Sequence, residues 1–144
     1  MITMIPMITL VCAIANKGEE YTVSIRDVYQ AIAQVETGGC SDPQHAVGDN
    51  GASLGRYQIQ KAYWRDSQEY DSSLLAFAYN EVTKDEVAET AIMAYWKRYA
   101  KVWTAEELCR LHNGGPSKRG TDDYWRKCYE ILILKAQVAP HTPS

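Results

Sequence analysis

The sequence predicts an α+β domain that is mostly helical, with one small β-hairpin inserted after the first helix. Three observations support this fold class. The 144 residues suit a single domain with a real core. Apolar residues recur at helical intervals in several separate segments. One irregular stretch, residues 40–60, is rich in Gly, Asp, Asn and Ser and contains a strong turn signal.

The first predicted helix begins after Ser24 and ends at Gly38-Gly39. Ser24 and Asp27 have the spacing of a capping box, in which each residue satisfies a free backbone N–H of the other. Glycines end the pattern because they accept the backbone geometry that follows a helix. In the stretch after it, Asp49-Asn50-Gly51 predicts a turn and Tyr57-Gln58-Ile59 predicts a strand.

Four more helices are predicted after the hairpin, over residues 61–68, 83–100, 104–114 and 121–138. Capping-box spacing marks the start of two of them, at Thr83 with Glu86 and at Thr104 with Glu107. Thr121 is the predicted cap of the last helix. The predicted domain therefore covers residues 16–138.

The two ends of the chain lie outside that domain. Residues 1–15 form a candidate signal peptide, because an apolar run ends in the cleavage-site-like Ala13-Ile14-Ala15. The run has no Lys or Arg, so a loosely packed N-terminus is the alternative. It is also too short for a membrane span, and stable membrane insertion is not expected. Residues 139–144 are predicted to be a disordered tail.

Several classes of function are disfavoured by composition. The net charge of −3 argues against general nucleic-acid binding, which depends on an excess of Lys and Arg. The four cysteines and three histidines are scattered without metal-ligand spacing, so neither a metal site nor a cofactor is expected. A dense disulfide framework is excluded, while a single Cys109–Cys128 bridge stays open.

Glu36 is the most informative single residue. It falls in the last turn of its helix, where the helix dipole disfavours a negative charge, and it borders the apolar stripe formed by Ile25 and Ile32. Both conditions favour the protonated carboxyl, the state that a general acid needs. Asp49 in the predicted turn is the candidate second carboxylate for glycoside hydrolysis, although Asp-Asn-Gly also forms turns without catalytic purpose.

Four motifs in order then resemble the lysozyme superfamily, and the invertebrate-type (destabilase-like) lysozymes in particular. The motifs are Val35-Glu36-Thr37-Gly38-Gly39, Val47-Gly48-Asp49-Asn50-Gly51 continuing to Tyr57-Gln58-Ile59, Ala62-Tyr63-Trp64, and Arg110-Leu111-His112-Asn113-Gly114-Gly115-Pro116. Soluble lytic transglycosylase domains share a looser version. The family is usually rich in disulfides, and this chain departs from it with only four cysteines.

The resemblance implies a lysozyme-like fold and a set of site residues. Glu36 falls on the family's catalytic acid and Asp49 near its second carboxylate. The expected substrate-binding residues are those of the other motifs: Tyr57, Gln58, Ile59, Tyr63, His112, Asn113 and Gly114. Trp64 is an alternative to Tyr63 beside the substrate.

The function implied is a muramidase that cleaves peptidoglycan between N-acetylmuramic acid and N-acetylglucosamine. A lytic transglycosylase that forms 1,6-anhydro products is the first alternative, and a catalytically inactive module that binds peptidoglycan or chitooligosaccharide is the second. The expected partner is the peptidoglycan polysaccharide, bound by a monomer. We expect a secreted or periplasmic protein, with a cytoplasmic protein released by lysis as the alternative.

Overall fold

The computed structural model describes residues 11–138. Its five α-helices are α1 Ile25–Thr37, α2 Lys61–Tyr70, α3 Asp85–Tyr99, α4 Ala105–Gly114 and α5 Asp122–Val138. An antiparallel hairpin joins β1 Val11–Asn16 to β2 Glu19–Ser24. A small antiparallel sheet follows α1, with β3 Val47–Gly48, β4 Ser53–Leu54 and β5 Ile59–Gln60 in that order.

Two helix starts follow the local signals that predicted them. The Ser24 hydroxyl accepts the N–H of Asp27 at 3.0 Å, and the Asp27 carboxylate accepts the N–H of Ser24 at 3.3 Å. At α4 the Thr104 hydroxyl accepts the N–H of Glu107 at 3.1 Å. Gly38 follows the last residue of α1, as the sequence predicts. These caps depend on neighbours three residues apart, which is why sequence alone identifies them.

Two other predictions need correction. The helix predicted from Thr83 begins at Asp85, because Thr83 closes a preceding 3₁₀ turn and its hydroxyl donates to the Asn80 carbonyl. The strand predicted over residues 57–59 is displaced, because Gln58 has a φ of +52° and only Ile59 continues into β5. The insertion is therefore a three-stranded sheet of very short strands rather than one hairpin.

The N-terminal hairpin was not predicted. Its turn consists of Lys17 and Gly18, both with positive φ, which matches the right-handed twist of paired strands. Strand β1 buries Cys12 and Ile14 in the core. A loosely packed N-terminus is thus wrong for residues 11–15, and the packed domain begins before residue 16. The candidate signal peptide stays a prediction; residues 1–10 and the tail 139–144 lie outside the described residues.

The core lies between the helices and is centred on aromatic side chains. Trp96 of α3 is fully buried and stacks on Tyr29 of α1, with ring centroids 5.4 Å apart. Cys12, Cys109 and Cys128 are buried thiols, so the Cys109–Cys128 bridge is not formed. Within residues 11–138, no helix has the length and apolar character needed to cross a bilayer.

Candidate active site

A cavity of about 290 Å³ opens between the end of α1, the small sheet, the start of α2 and the end of α4. Six of the nine residues predicted for the site lie on its wall, together with three that were not predicted. The lining residues are Glu36, Gly48, Asp49, Ser53, Gln58, Gln60, Tyr63, His112 and Asn113. Four segments far apart in sequence therefore converge on one polar cavity.

Glu36 is the second-last residue of α1, and no basic residue lies in that last turn. Its side chain keeps only 20% of its surface exposed. Burial, and secondarily the charge of Asp49, raises the pKa of Glu36 from 4.5 to about 7. Both effects act against the ionised form, so Glu36 retains its proton close to neutrality.

Asp49 enters the cavity from a left-handed turn. Asp49, Asn50 and Gly51 all have positive φ, a conformation that Asp and Asn tolerate better than other side chains do. The Ser53 hydroxyl, on buried β4, donates to Asp49 Oδ2 at 2.6 Å. This bond fixes the orientation of the carboxylate while the turn fixes its position.

His112 lies beside Glu36 and is held by two hydrogen bonds. Its Nε2–H donates to the Tyr57 carbonyl at 2.8 Å, which leaves Nδ1 to accept the Tyr63 hydroxyl at 3.1 Å. Burial, against a smaller opposing effect of the Tyr57 carbonyl, lowers the pKa of His112 to about 4. The ring is neutral at pH 7, so its 3.9 Å approach to Glu36 Oε2 is not an ion pair.

Three predicted residues do not reach the cavity. The Tyr57 side chain is 3% exposed and points away, with its hydroxyl on the Glu89 carboxylate. Ile59 is fully buried in the core. Gly114 packs against Thr121, where a Cβ would come within 2.5 Å of a methyl carbon. None of the three lines this cavity, and their part in substrate binding stays a prediction. Between Tyr57 and Ile59 the chain turns through Gln58, whose φ is positive.

The residues missed by the sequence analysis are Gly48, Ser53 and Gln60. At Gly48, a Cβ would lie 2.1 Å from Gln58 Oε1, so a larger residue would displace that amide from its present position. Ser53 could have been found from its position four residues after a candidate carboxylate, within a predicted hairpin. Trp64, the alternative to Tyr63, is buried and does not line the cavity.

A helix that ends in a largely buried glutamic acid and a small sheet that brings an aspartate to the same cavity thus place two carboxyl groups in one polar site. Residues 26–131 match the family model described as Destabilase. This chain belongs to the destabilase family.

Named relatives agree with that assignment. The chain is 30% identical over 117 residues to Lysozyme 1 of Crassostrea virginica, covering 78% of this chain and 63% of that protein. It is 32% identical over 114 residues to a lysozyme of Magallana gigas, covering 70% of this chain and 75% of the relative. The match thus spans less than two thirds of the Crassostrea protein.

Solved structures show the same fold. The lysozyme of Tapes japonica matches with a TM-score of 0.57 and 25% identity, over 81% of this chain and 90% of that one. A chain in the crystal structure of Aeromonas hydrophila PliI in complex with Meretrix lusoria lysozyme matches with a TM-score of 0.59 and 28% identity. That second match covers 72% of this chain and 86% of the other. The fold is therefore lysozyme-like, as the sequence motifs implied.

Proposed function

We propose that this protein is a peptidoglycan glycoside hydrolase, a muramidase that cleaves the β-1,4 bond between N-acetylmuramic acid and N-acetylglucosamine. The observation that carries the proposal is the pairing of Glu36 with Asp49 at one cavity, with the pKa of Glu36 raised to about 7. Glycosidases need one carboxylic acid that keeps its proton and one carboxylate that does not. Membership of the destabilase family and the lysozyme relatives support the same activity.

In the proposed mechanism, Glu36 gives its proton to the glycosidic oxygen as the bond to the anomeric carbon breaks. Asp49 stabilises or captures the positive charge that develops on the sugar ring, and water then completes the hydrolysis. Ser53 keeps Asp49 oriented by its hydrogen bond. The amides of Gln60 and Asn113 lie at the cavity wall, where they can bond the hydroxyl and N-acetyl groups of the sugars. The Gln58 amide nitrogen already donates to the Ala46 and Gly55 carbonyls, so this side chain offers its Oε1 as an acceptor.

The proposal includes the setting in which the enzyme works. The polysaccharide is the partner of the cavity, and the protein acts on it as a monomer outside the cytoplasm. Its lysozyme relatives support the wall substrate. The Meretrix lusoria lysozyme forms a complex with PliI, and we propose that an inhibitor of that kind can also engage this chain.

The test is digestion of purified peptidoglycan by the wild type, Glu36→Gln and Asp49→Asn. Glu86→Gln, on the exposed side of α3, is the matched control that keeps full activity. We expect reducing-end muropeptides from the wild type and none from Glu36→Gln. If Glu36→Gln cleaves peptidoglycan as fast as the wild type, Glu36 is not the general acid.

The same digestion separates the two alternatives by mass spectrometry. A lytic transglycosylase leaves 1,6-anhydro ends one water lighter than hydrolytic ends, and it needs no second carboxylate. Anhydro products together with full activity of Asp49→Asn would favour that reaction. Binding of chitooligosaccharide without any cleavage by the wild type would favour the inactive sugar-binding module.

A further inference from the structure

The turn formed by residues 55–58 connects the candidate active site to the opposite side of the molecule. The end of α1 is bonded to this turn, because the hydroxyl of Thr37, the neighbour of Glu36, donates to the Arg56 carbonyl at 2.8 Å. His112 Nε2–H donates to the next carbonyl of the turn, that of Tyr57. The position of this turn therefore determines where the imidazole lies beside Glu36.

The opposite side of the turn is fixed by a carboxylate that the sequence did not single out. The buried Tyr57 hydroxyl donates to Glu89 Oε2 of α3 at 2.7 Å. Arg26 of α1 contacts both oxygens of the same carboxylate, Oε1 through Nη2 at 2.7 Å and Oε2 through Nη1 at 2.8 Å. Glu89 is only 14% exposed, and the Tyr29 hydroxyl donates to its backbone carbonyl at 3.2 Å. This carboxylate is held rigidly, and it holds Tyr57.

Tyr57 thus makes two hydrogen bonds. Its hydroxyl donates to the Glu89 carboxylate, and its backbone carbonyl accepts the His112 N–H. If the side chain is released, the carbonyl can move and leave the imidazole N–H without its acceptor. Glu36 Oε2 lies 3.9 Å from that same nitrogen and is an alternative acceptor, strongest when the carboxyl is ionised. A small rotation of His112 would then form a direct hydrogen bond to the Glu36 carboxylate.

We propose that Glu89 is a remote positioning residue for the active site, which acts through Tyr57 to keep the His112 N–H on the Tyr57 carbonyl and away from Glu36. Its effect on catalysis rests on the proposed function, whereas its effect on Glu36 does not. Glu89 itself touches no substrate in this arrangement, because it lies behind Tyr57 and outside the cavity wall.

The direction of the effect follows from the groups around Glu36. Titratable groups near it come from several elements: Asp49 on the turn, Tyr63 on α2, His112 on α4 and Tyr124 on α5. The Tyr63 hydroxyl donates to His112 Nδ1, and the His112 N–H, on the nitrogen nearest Glu36, donates to the Tyr57 carbonyl. A hydrogen bond to the charged form of a carboxyl favours that form. Loss of Glu89 should therefore lower the pKa of Glu36.

The experiment follows the ¹³C signal of the Glu36 carboxyl with pH, alongside the pH profile of kcat/KM. Glu89→Ala should move the Glu36 midpoint down by about one pH unit, and it should move the alkaline limb of activity by the same amount. Glu89→Gln keeps an oxygen that accepts the Tyr57 hydroxyl and should restore the wild-type midpoint. Tyr57→Phe removes only that hydroxyl and should reproduce the shift.

The matched control is Glu69→Ala, which removes another Arg–Glu pair made by α3, that of Arg98 with Glu69 at 2.7 Å. It has no connection to the turn and should leave the midpoint unchanged. The proposal is overturned if Glu89→Ala and Tyr57→Phe titrate like the wild type, or if Glu69→Ala shifts Glu36 equally. The NMR titration decides this even for a protein that cleaves no peptidoglycan, so the two proposals fail separately. Tyr57→Phe decides it if Glu89→Ala does not fold.

Discussion

Two largely buried glutamates, one at the start of a helix and one at the end of a helix, show how their surroundings set the ionisation of a carboxyl group. Glu107 lies in the first turn of α4 and is 7% exposed, while Glu36 lies in the last turn of α1 and is 20% exposed. Burial alone would raise the pKa of both. At Glu107 that effect is outweighed by hydrogen bonds from the Lys118 ammonium and the Lys101 N–H, and its pKa is lowered.

Glu36 has none of these compensations. Its neighbours are a neutral imidazole and a second carboxylate, and its helix presents carbonyl groups rather than N–H groups at that end. The comparison teaches that partners, more than burial, decide whether a carboxyl is a structural anion or a proton donor. Gln variants of the two glutamates test that distinction, and an Ala variant of Ser53 tests how the second carboxylate is oriented.

The largest effect is expected on catalysis from Glu36→Gln. The amide has the same shape but no proton to give, so kcat/KM on peptidoglycan should fall by about 1,000-fold, within the range for loss of a general acid. Glu107→Gln should retain cleavage at temperatures where it is folded. Equal losses of kcat/KM in the two folded variants would show that Glu36 is no more important for cleavage than Glu107.

The second effect is on the free energy of unfolding. Near neutral pH, Gln should raise it at position 36 and lower it at position 107. The pKa of Glu36 is raised from 4.5 to about 7, so the folded state binds this proton more tightly and loses stability as pH rises between those values. Gln cannot ionise. Glu36→Gln should therefore match the wild type at pH 4 and exceed it by about 3 kcal/mol at pH 8. Urea unfolding at the two pH values measures this difference.

Glu107→Gln should be destabilising instead. It removes the charge-assisted bond from Lys118, and we expect a loss of about 2 kcal/mol near pH 7. Because the pKa of Glu107 is lowered in the folded state, its contribution is present above the ordinary carboxyl pKa and disappears as pH falls. The gap between variant and wild type should close in urea melts toward pH 3. A gap that widens on acidification would contradict the account.

The smallest effect is expected from Ser53→Ala. The Asp49 carboxylate loses the 2.6 Å bond that orients it but keeps its charge and its turn. A hydrogen bond to a charged group is worth at least about 1.5 kcal/mol, so kcat should fall by roughly tenfold with little change in KM. Steady-state kinetics check this, with Ser73→Ala, whose hydroxyl bonds the exposed Asp71, as the matched control. A KM increase alone would assign Ser53 to substrate binding.

The parts of this architecture that sequence could predict are those set by close neighbours. The caps at Ser24 and Thr104, and the unfavourable position of Glu36 in its helix, involve residues within one or two turns. The orientation of Tyr57 and Ile59 was not accessible, because one positive φ at Gln58 changes which side chains face the cavity.

Long-range partners explain the remaining differences. Glu89 meets Arg26 across 63 residues and Tyr57 across 32, and nothing in local spacing connects them. The N-terminal strand shows the other kind of ambiguity. Its short apolar run fits both a secretion signal and a buried strand, and the pairing of residues 11–16 with residues 19–24 depends on partners that the apolar run itself does not reveal.

The most direct test of the central claim is the pH titration of all glutamate carboxyls in one ¹³C NMR series, with Glu36 and Glu107 assigned by their Gln variants. We expect a Glu36 midpoint near 7 and a Glu107 midpoint below 4.5. A Glu36 signal that titrates together with Glu107 would contradict this expectation, because a carboxyl already ionised at neutral pH could not serve as the proton donor.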